Sequence, residues 1–159
     1  EVQISATRCL GLFCLRETRP SLQAVKQLWL LLIADDTMLG VKNMACKALF
    51  DLCMWHSAAV IDRIICFSAY EGVSNNEAVS GLPILEEFAQ FLDANDVEQE
   101  AVVEPETGEV ETVKGIIAEG FAKLLLQSRV YSDILPLQHS ILGKLLRLYF
   151  NEETKSMPR

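Results

Sequence analysis

Between Ile64 and Val113 the chain has no lysine or arginine, while the same stretch carries 12 acidic residues. Other chemistry-bearing features are also scarce. There are two histidines, His56 and His139, and five cysteines with no CxxC pair among them. Zinc ribbons and thioredoxin-like redox sites, which need paired cysteines at fixed spacing, are therefore excluded. No glycine loop of the phosphate-cradling kind is present, since Gly115, Gly120 and Gly143 fall at helix-packing positions. Nothing matches G-x-S-x-G, H-E-x-x-H or a protein-kinase signature. Long apolar runs are missing too. The most apolar one, Leu28 to Ala34, is seven residues long, against the roughly 20 that a spanning helix requires. The five cysteines (Cys9, Cys14, Cys46, Cys53 and Cys66) are odd in number and lie at helical or apolar positions, as expected of reduced thiols used as small hydrophobes. A reducing compartment, cytosol or nucleus, follows.

The net charge of −8 belongs to the middle of the chain. Residues 1–63 are net +1 and residues 114–159 net +3, so the flanks are mildly basic. The pI of 4.8 is therefore no argument against nucleic acid as a partner. At 159 residues, half of them hydrophobic and with a mean hydropathy of +0.22, the chain suits one domain of helices packed on two sides. It begins at Glu1 and stops after Met157-Pro158-Arg159, and is expected to be a piece cut from a longer protein.

One pattern occurs three times. Val2 to Leu10 (VQISATRCL) is echoed by Val41 to Leu49 (VKNMACKAL) at an offset of 39, and Val113 to Phe121 (VKGIIAEGF) follows at a further 72. In each copy a small residue (Cys9, Ala48, Gly120) precedes a large apolar one (Leu10, Leu49, Phe121), with another three positions on (Phe13, Leu52, Leu124). A period near 40 built from helix pairs is the mark of HEAT or armadillo solenoids, whose repeats bury their apolar faces only against neighbours. The sequence thus predicts an all-α HEAT-repeat solenoid of about three helix pairs with an acidic inserted loop. Repeats are expected at about 1–35, 38–93 and 112–150, and inserted loops at about 71–82 and 94–111. Such a chain presents surfaces to partners.

Individual helices follow from apolar spacing. The first, 2–16, is expected to bury Ala6, Cys9, Leu10 and Phe13. A second, from Pro20 to about Ala34, is expected to bury Leu22, Val25, Trp29 and Leu32, with the proline in its first turn. A third, about 39–55, is expected to bury Val41, Met44, Ala45, Ala48 and Leu52 and to expose Lys42, Asn43, Lys47 and Asp51. Ile61, Ile64 and Ile65 suggest a short helix within 58–70. Further helices are expected over Pro83 to about Asp93 (burying Leu85, Phe88, Ala89 and Leu92), about 112–127 and about 136–150.

Candidate chemistry is thin, and no catalytic, metal or cofactor site is expected. Cys46, Cys53 and His56 share a helix face, but a structural zinc needs four ligands. His139 has no nucleophile in a recognisable arrangement. Asp35 and Asp36, just before a helix, are better read as caps on its free N–H groups than as a catalytic pair. The tract Asp93 to Glu111, with eight acidic residues, reads as a solvated loop, the alternative being a surface that repels DNA or engages a basic partner. Arg8, Arg16, Arg19, Lys26, Lys42 and Lys47 in the first two repeats, and Lys114, Lys123, Arg129, Lys144 and Arg147 in the last, are either ordinary exposed faces or part of a phosphate-binding groove. The first six are the candidate DNA or partner contacts.

Four stretches, in order, resemble the G subunit of condensin in its C-terminal HEAT-repeat region: Arg8-Cys-Leu-Gly-Leu-Phe-Cys-Leu15, Lys47-Ala-Leu-Phe-Asp-Leu52, Ala118-Glu-Gly-Phe-Ala-Lys-Leu-Leu125 and Leu148-Tyr-Phe-Asn-Glu-Glu-Thr154. The resemblance covers nearly the whole chain and departs from the family mainly at 56–82. It implies a non-catalytic subunit of a chromosome-compacting complex, without cofactor, membrane or small-molecule substrate. Its implied partners are the kleisin subunit, through it the coiled-coil (SMC) ATPases, and double-stranded DNA. The implied location is the nucleus and chromosomes, with cytoplasm in interphase. A HEAT scaffold of a transport or phosphatase complex is the competing expectation.

Overall fold

The computed structural model describes residues 1–66, 83–93, 102–103, 110–127 and 137–150. These form α1 (Val2–Arg16), α2 (Leu22–Ile33), α3 (Leu39–His56), α4 (Ala58–Cys66) and α5 (Pro83–Asp93). A two-residue antiparallel pair follows, β1 (Val102–Val103) and β2 (Val110–Glu111), then α6 (Val113–Gln127) and α7 (Gln138–Phe150). In the pair, Val102 faces Glu111 and Val103 faces Val110, so short strands sit within the tract read as a loop. The rest of that tract, and residues 71–82, lie outside the described residues.

The fold is an all-α solenoid-type stack. The three helices that carry the repeated pattern lie side by side, α1 against α3 and α3 against α6. A second layer runs behind them: α2 packs on α1, α3 and α4, and α5 joins α4, α6 and α7. One interface geometry is used twice. Gly11 of α1 rests on Ala48 of α3, so closely that a Cβ on Gly11 would lie 2.7 Å from the Ala48 Cβ. The counterpart of Gly11 in the next copy is Phe50, the counterpart of Ala48 is Gly120, and Phe50 rests on Gly120. The small residue has changed sides of the interface while the contact has kept its place.

Phe50 also ties the layers together. Its ring stacks on Phe88 of α5 (centroids 4.6 Å apart, planes at 19°) and meets Phe121 of α6 edge-on (5.5 Å, 77°). Phe88 in turn meets Trp29 of α2 at 6.0 Å. Each such pair adds about 0.5–1.5 kcal/mol beyond the burial of its area. Four helices thus share one aromatic core.

The stack corrects several expectations. In α1 the buried residues are Thr7, Gly11 and Cys14, whereas Ala6, Cys9 and Phe13 are exposed and Leu10 is half-buried. The physical reason is position in the stack. The counterparts of Ala6, Cys9, Leu10 and Phe13 in α3 (Ala45, Ala48, Leu49, Leu52) and in α6 (Ile117, Gly120, Phe121, Leu124) are all buried, but among the described residues no helix precedes α1 to cover that face. In α2, Val25 and Leu32 are buried as expected, together with Ala24 and Leu28; Leu22 is exposed and Trp29 half-buried. That helix starts at Leu22 with Ser21 as N-cap, so Pro20 precedes it instead of sitting in its first turn.

Flanked by α1, α2, α4 and α6, α3 is buried nearly all round, which is why Asn43 is buried and Lys42 and Lys47 are half-buried instead of exposed; Met44 is likewise half-buried. Its N-cap is Met38, with no side-chain cap hydrogen bond, so Asp35 and Asp36 lie in an exposed turn before it and the expected capping is not made. Ser57 alone joins α3 to α4, at φ 72° and ψ 147°. The short helix expected in 58–70 is α4, with Ile61 buried and Ile64 and Ile65 partly so. In α5 the residues Leu85, Phe88, Ala89 and Leu92 are buried as the spacing predicts.

Candidate interaction surface

Two of the six candidate cations converge. Arg8 of α1 and Lys47 of α3 line an open groove of about 290 Å³ between their helices, floored by Gly11 and Ala48 and walled by Leu12, Leu15, Met44 and Asp51. The groove exists because Gly11 and Ala48 let the two backbones approach, leaving the longer side chains on either side to splay outward. It offers cation, anion and exposed aliphatic carbon together, a composition suited to a peptide or to a phosphate flanked by apolar groups.

The other four candidates do not line it. Arg16 ends α1 and Arg19 follows in the exposed connection to α2, whereas Lys26 belongs to α2 in the second layer and Lys42 to the first turn of α3. In the second set, Lys123 pairs with Glu119 one turn back at 2.6 Å, both well exposed. Such a pair contributes at most a few tenths of a kcal/mol, roughly. Arg147 is exposed, and Arg129 lies outside the described residues.

The charged row continues from α3 onto α6. The Asp51 carboxyl is pushed above the usual aspartate range, first by partial burial and also by Glu119, while Lys123 and Lys47 pull it back. Charges of both signs from two neighbouring helices thus face one another along this side of the stack.

Two charged residues hold α5 at its ends, Asp62, which sequence reasoning passed over, and Lys144, which it read as exposed face or phosphate groove. Asp62 of α4, 7 % exposed, accepts the Ile84 N–H at 2.9 Å in the first turn of α5. At the other end, Lys144 of α7 donates to the Ala89 carbonyl at 3.1 Å and pairs with Asp93. An anion at the N-terminus and a cation at the C-terminus both match the helix macrodipole. The partners are 22 and about 50 residues apart in sequence, beyond any local motif.

The remaining candidates stay apart. Cys46 and Cys53 are fully buried in α3, and the His56 ring places Nε2 3.2 Å from the Cys14 carbonyl, to which it donates in the Nε2–H tautomer. Among the described residues no three His, Cys, Asp or Glu side chains gather as a metal cluster, and no helix is long and apolar enough to cross a membrane. Burial raises the Cys14 thiol, pushes Cys46 to about 12 and raises Cys53 as well. Buried thiols of this kind are inert packing groups. His139 stands exposed in the first turn of α7.

The helical-repeat stack carries a charged, partly apolar groove between two of its repeat helices, and among the described residues no metal cluster gathers. The chain belongs to the nuclear condensing complex subunits family, C-terminal domain, whose family-wide profile matches residues 1–159. The resemblance of the four ordered stretches to the condensin G subunit therefore holds over the full length. No curated protein and no solved structure matches the chain significantly. Family membership assigns the chain to the condensin complex, with a nuclear and chromosomal setting.

Proposed function

We propose that this chain is a non-catalytic scaffold segment of condensin that contributes to kleisin binding and to holding double-stranded DNA during mitotic chromosome condensation. What carries the reading is the match of the condensin-subunit family over residues 1–159, on a stack with a charged groove built between two repeat helices. The kleisin would bring the stack to the coiled-coil ATPase subunits, which supply the ATP hydrolysis. DNA would meet Arg8, Lys42 and Lys47 through its phosphates, an interaction whose salt dependence scales with the number of phosphates neutralised. Nuclear and chromosomal in mitosis, the complex would also occupy the cytoplasm in interphase.

The test has two arms. The protein carrying this segment is purified by affinity from mitotic extract, and its partners are identified by mass spectrometry. Kleisin and paired coiled-coil ATPases are the expected partners, and transport cargo or a phosphatase in their place would discard the reading. Charge reversal at Lys42 and Lys47 then isolates the DNA arm. Retention of DNA by the intact complex should weaken, and its dependence on salt should flatten. Unchanged retention would return both lysines to ordinary surface.

A further inference from the structure

The middle repeat helix, α3, has α1 on one side and α6 on the other, so its outward stripe is a side face of the stack and not one of its ends. That stripe runs Met44, Lys47, Asp51, Trp55 at helical spacing. Most of α3 is buried, yet Asp51 and Trp55 are exposed, the indole at 69 %. α1 runs parallel beside it, since Gly40 meets Ile4 at the start of the two helices and Gly11 meets Ala48 two turns on. This register sets Arg8 near the level of Lys47, and Leu15 near that of Asp51. The groove is therefore graded along its length, with two cations at one end, Leu12 and Leu15 along the wall, and a carboxylate at the other end. Trp55 follows Asp51 by one turn. Helical side chains lean toward the N-terminus, which sets the indole over the turn that carries Asp51.

This order of charges selects a protein segment over a phosphate backbone. A row of phosphates that met Arg8 and Lys47 would next meet the Asp51 carboxylate, which repels it. A peptide with an acid, apolar residues and an arginine satisfies every part. Its carboxylate bridges Arg8 and Lys47. Its guanidinium pairs with Asp51 while lying on the face of Trp55. The rise from Lys47 to midway between Asp51 and Trp55 is about 9 Å, which three residues of extended chain cover. We propose that this groove, with Trp55 at its end, binds a short extended segment of a partner protein in which a carboxylate and an arginine stand about three residues apart with apolar residues between them. The proposal deepens the partner-binding half of the function proposed above and rests on it only in taking the stack for an interaction surface. A seated peptide occupies Arg8 and Lys47, so peptide and DNA exclude one another at these two residues.

Panning a random dodecapeptide library on the 159-residue chain provides the test. The enriched peptides should share an acidic residue and an arginine about three positions apart, in either chain direction. Affinity for the best of them, read by fluorescence anisotropy, should fall about thirtyfold in Trp55→Ala and about tenfold in Arg8→Glu. A peptide with lysine in place of its acid should regain affinity for Arg8→Glu. Both variants change exposed residues, and circular dichroism checks that they keep the fold. Enrichment without the paired charges, affinity indifferent to both variants, or no enrichment at all would overturn the proposal. So would a chain that ignores every peptide yet binds a short DNA duplex through Arg8, which would give the groove to nucleic acid. The isolated chain is used, so recovery of condensin subunits from extract with no peptide selected would leave the function proposed above standing and strike this groove alone.

Discussion

The ring of Phe50 occupies the space that a β-carbon on Gly120 would need, since an ideal Cβ there would lie 2.5 Å from both Cγ and Cδ1. Neither side can give way easily. Phe50 is held by Phe88 and Phe121, and Gly120 is buried mid-helix against α3. Gly120→Ala should therefore destabilise the chain by about 1–2 kcal/mol, overpacking outweighing the roughly 1 kcal/mol that alanine gains in helix propensity. Gly143, with nothing within 4 Å of its would-be Cβ, is the control. Gly143→Ala should stabilise by about 0.5–1 kcal/mol. Urea midpoints of the two variants should move in opposite directions, and parallel shifts would refute the close contact.

The same contact should appear as coupling. Phe50→Ala alone should cost about 3–5 kcal/mol, and in its background Gly120→Ala should no longer destabilise. A double-mutant cycle should return an interaction energy of about 0.5–3 kcal/mol. Strict additivity would mean that the ring and the glycine do not meet.

Asp62 gives a pH dependence. Burial, and next to it the charge of Glu86, push its carboxyl above the ordinary aspartate range, while the Ile84 N–H pulls it down. The folded chain thus holds this proton more tightly than the unfolded one. Its contribution is most favourable below the unfolded aspartate value and is lost as pH rises through the folded one. Asp62→Asn keeps the acceptor and removes the charge, so it should flatten this acid-side slope and leave neutral stability equal or higher. Asp62→Ala, which strands the Ile84 N–H, should cost about 1–3 kcal/mol. Stability profiles of wild type and Asp62→Asn that run parallel from pH 3 to 7 would refute the linkage.

Lys144 is 19 % exposed at its side chain, so its bonds to α5 are only partly screened. Lys144→Met, which keeps the apolar stem, should destabilise by about 0.5–2 kcal/mol in dilute buffer. The gap from wild type should narrow in 1 M salt, where the Debye length falls to about 3 Å. A gap independent of salt would assign the loss to packing.

Thiol reactivity should separate the cysteines. Cys9 is exposed, whereas Cys14, Cys46 and Cys53 are buried with raised thiols. Under native conditions Cys9 should react with a maleimide well ahead of those three, which should label only through opening. Peptide mapping of the labelled sites would expose any early reaction at Cys46 or Cys53.

Helix type, the side-by-side placement of the repeated copies and the burial in α5 were legible in the sequence, because apolar period and internal repetition are local signals. Which face α1 buries was not. Ala6, Cys9 and Phe13 carry the same pattern as their buried counterparts in α3 and α6, and only the absence of a described helix before α1 leaves them in solvent. Burial in a stack is a property of neighbours, as the twice-flanked Asn43 also shows. The candidate site was half legible for a related reason. Arg8 and Lys47 meet because they are counterparts in adjoining copies, whereas Arg16, Arg19, Lys26 and Lys42 share no register with them.

The clasp on α5 has a consequence for how the chain threads. Leucine, isoleucine and phenylalanine on a short amphipathic helix pack almost as well when the helix is turned end for end. Asp62 and Lys144 do not tolerate that inversion, because a reversed α5 would set an anion against carbonyl oxygens and a cation against N–H groups. The two charges therefore read the direction of the helix, and they favour the path in which α5 runs from Asp62 toward Lys144 over the reversed one.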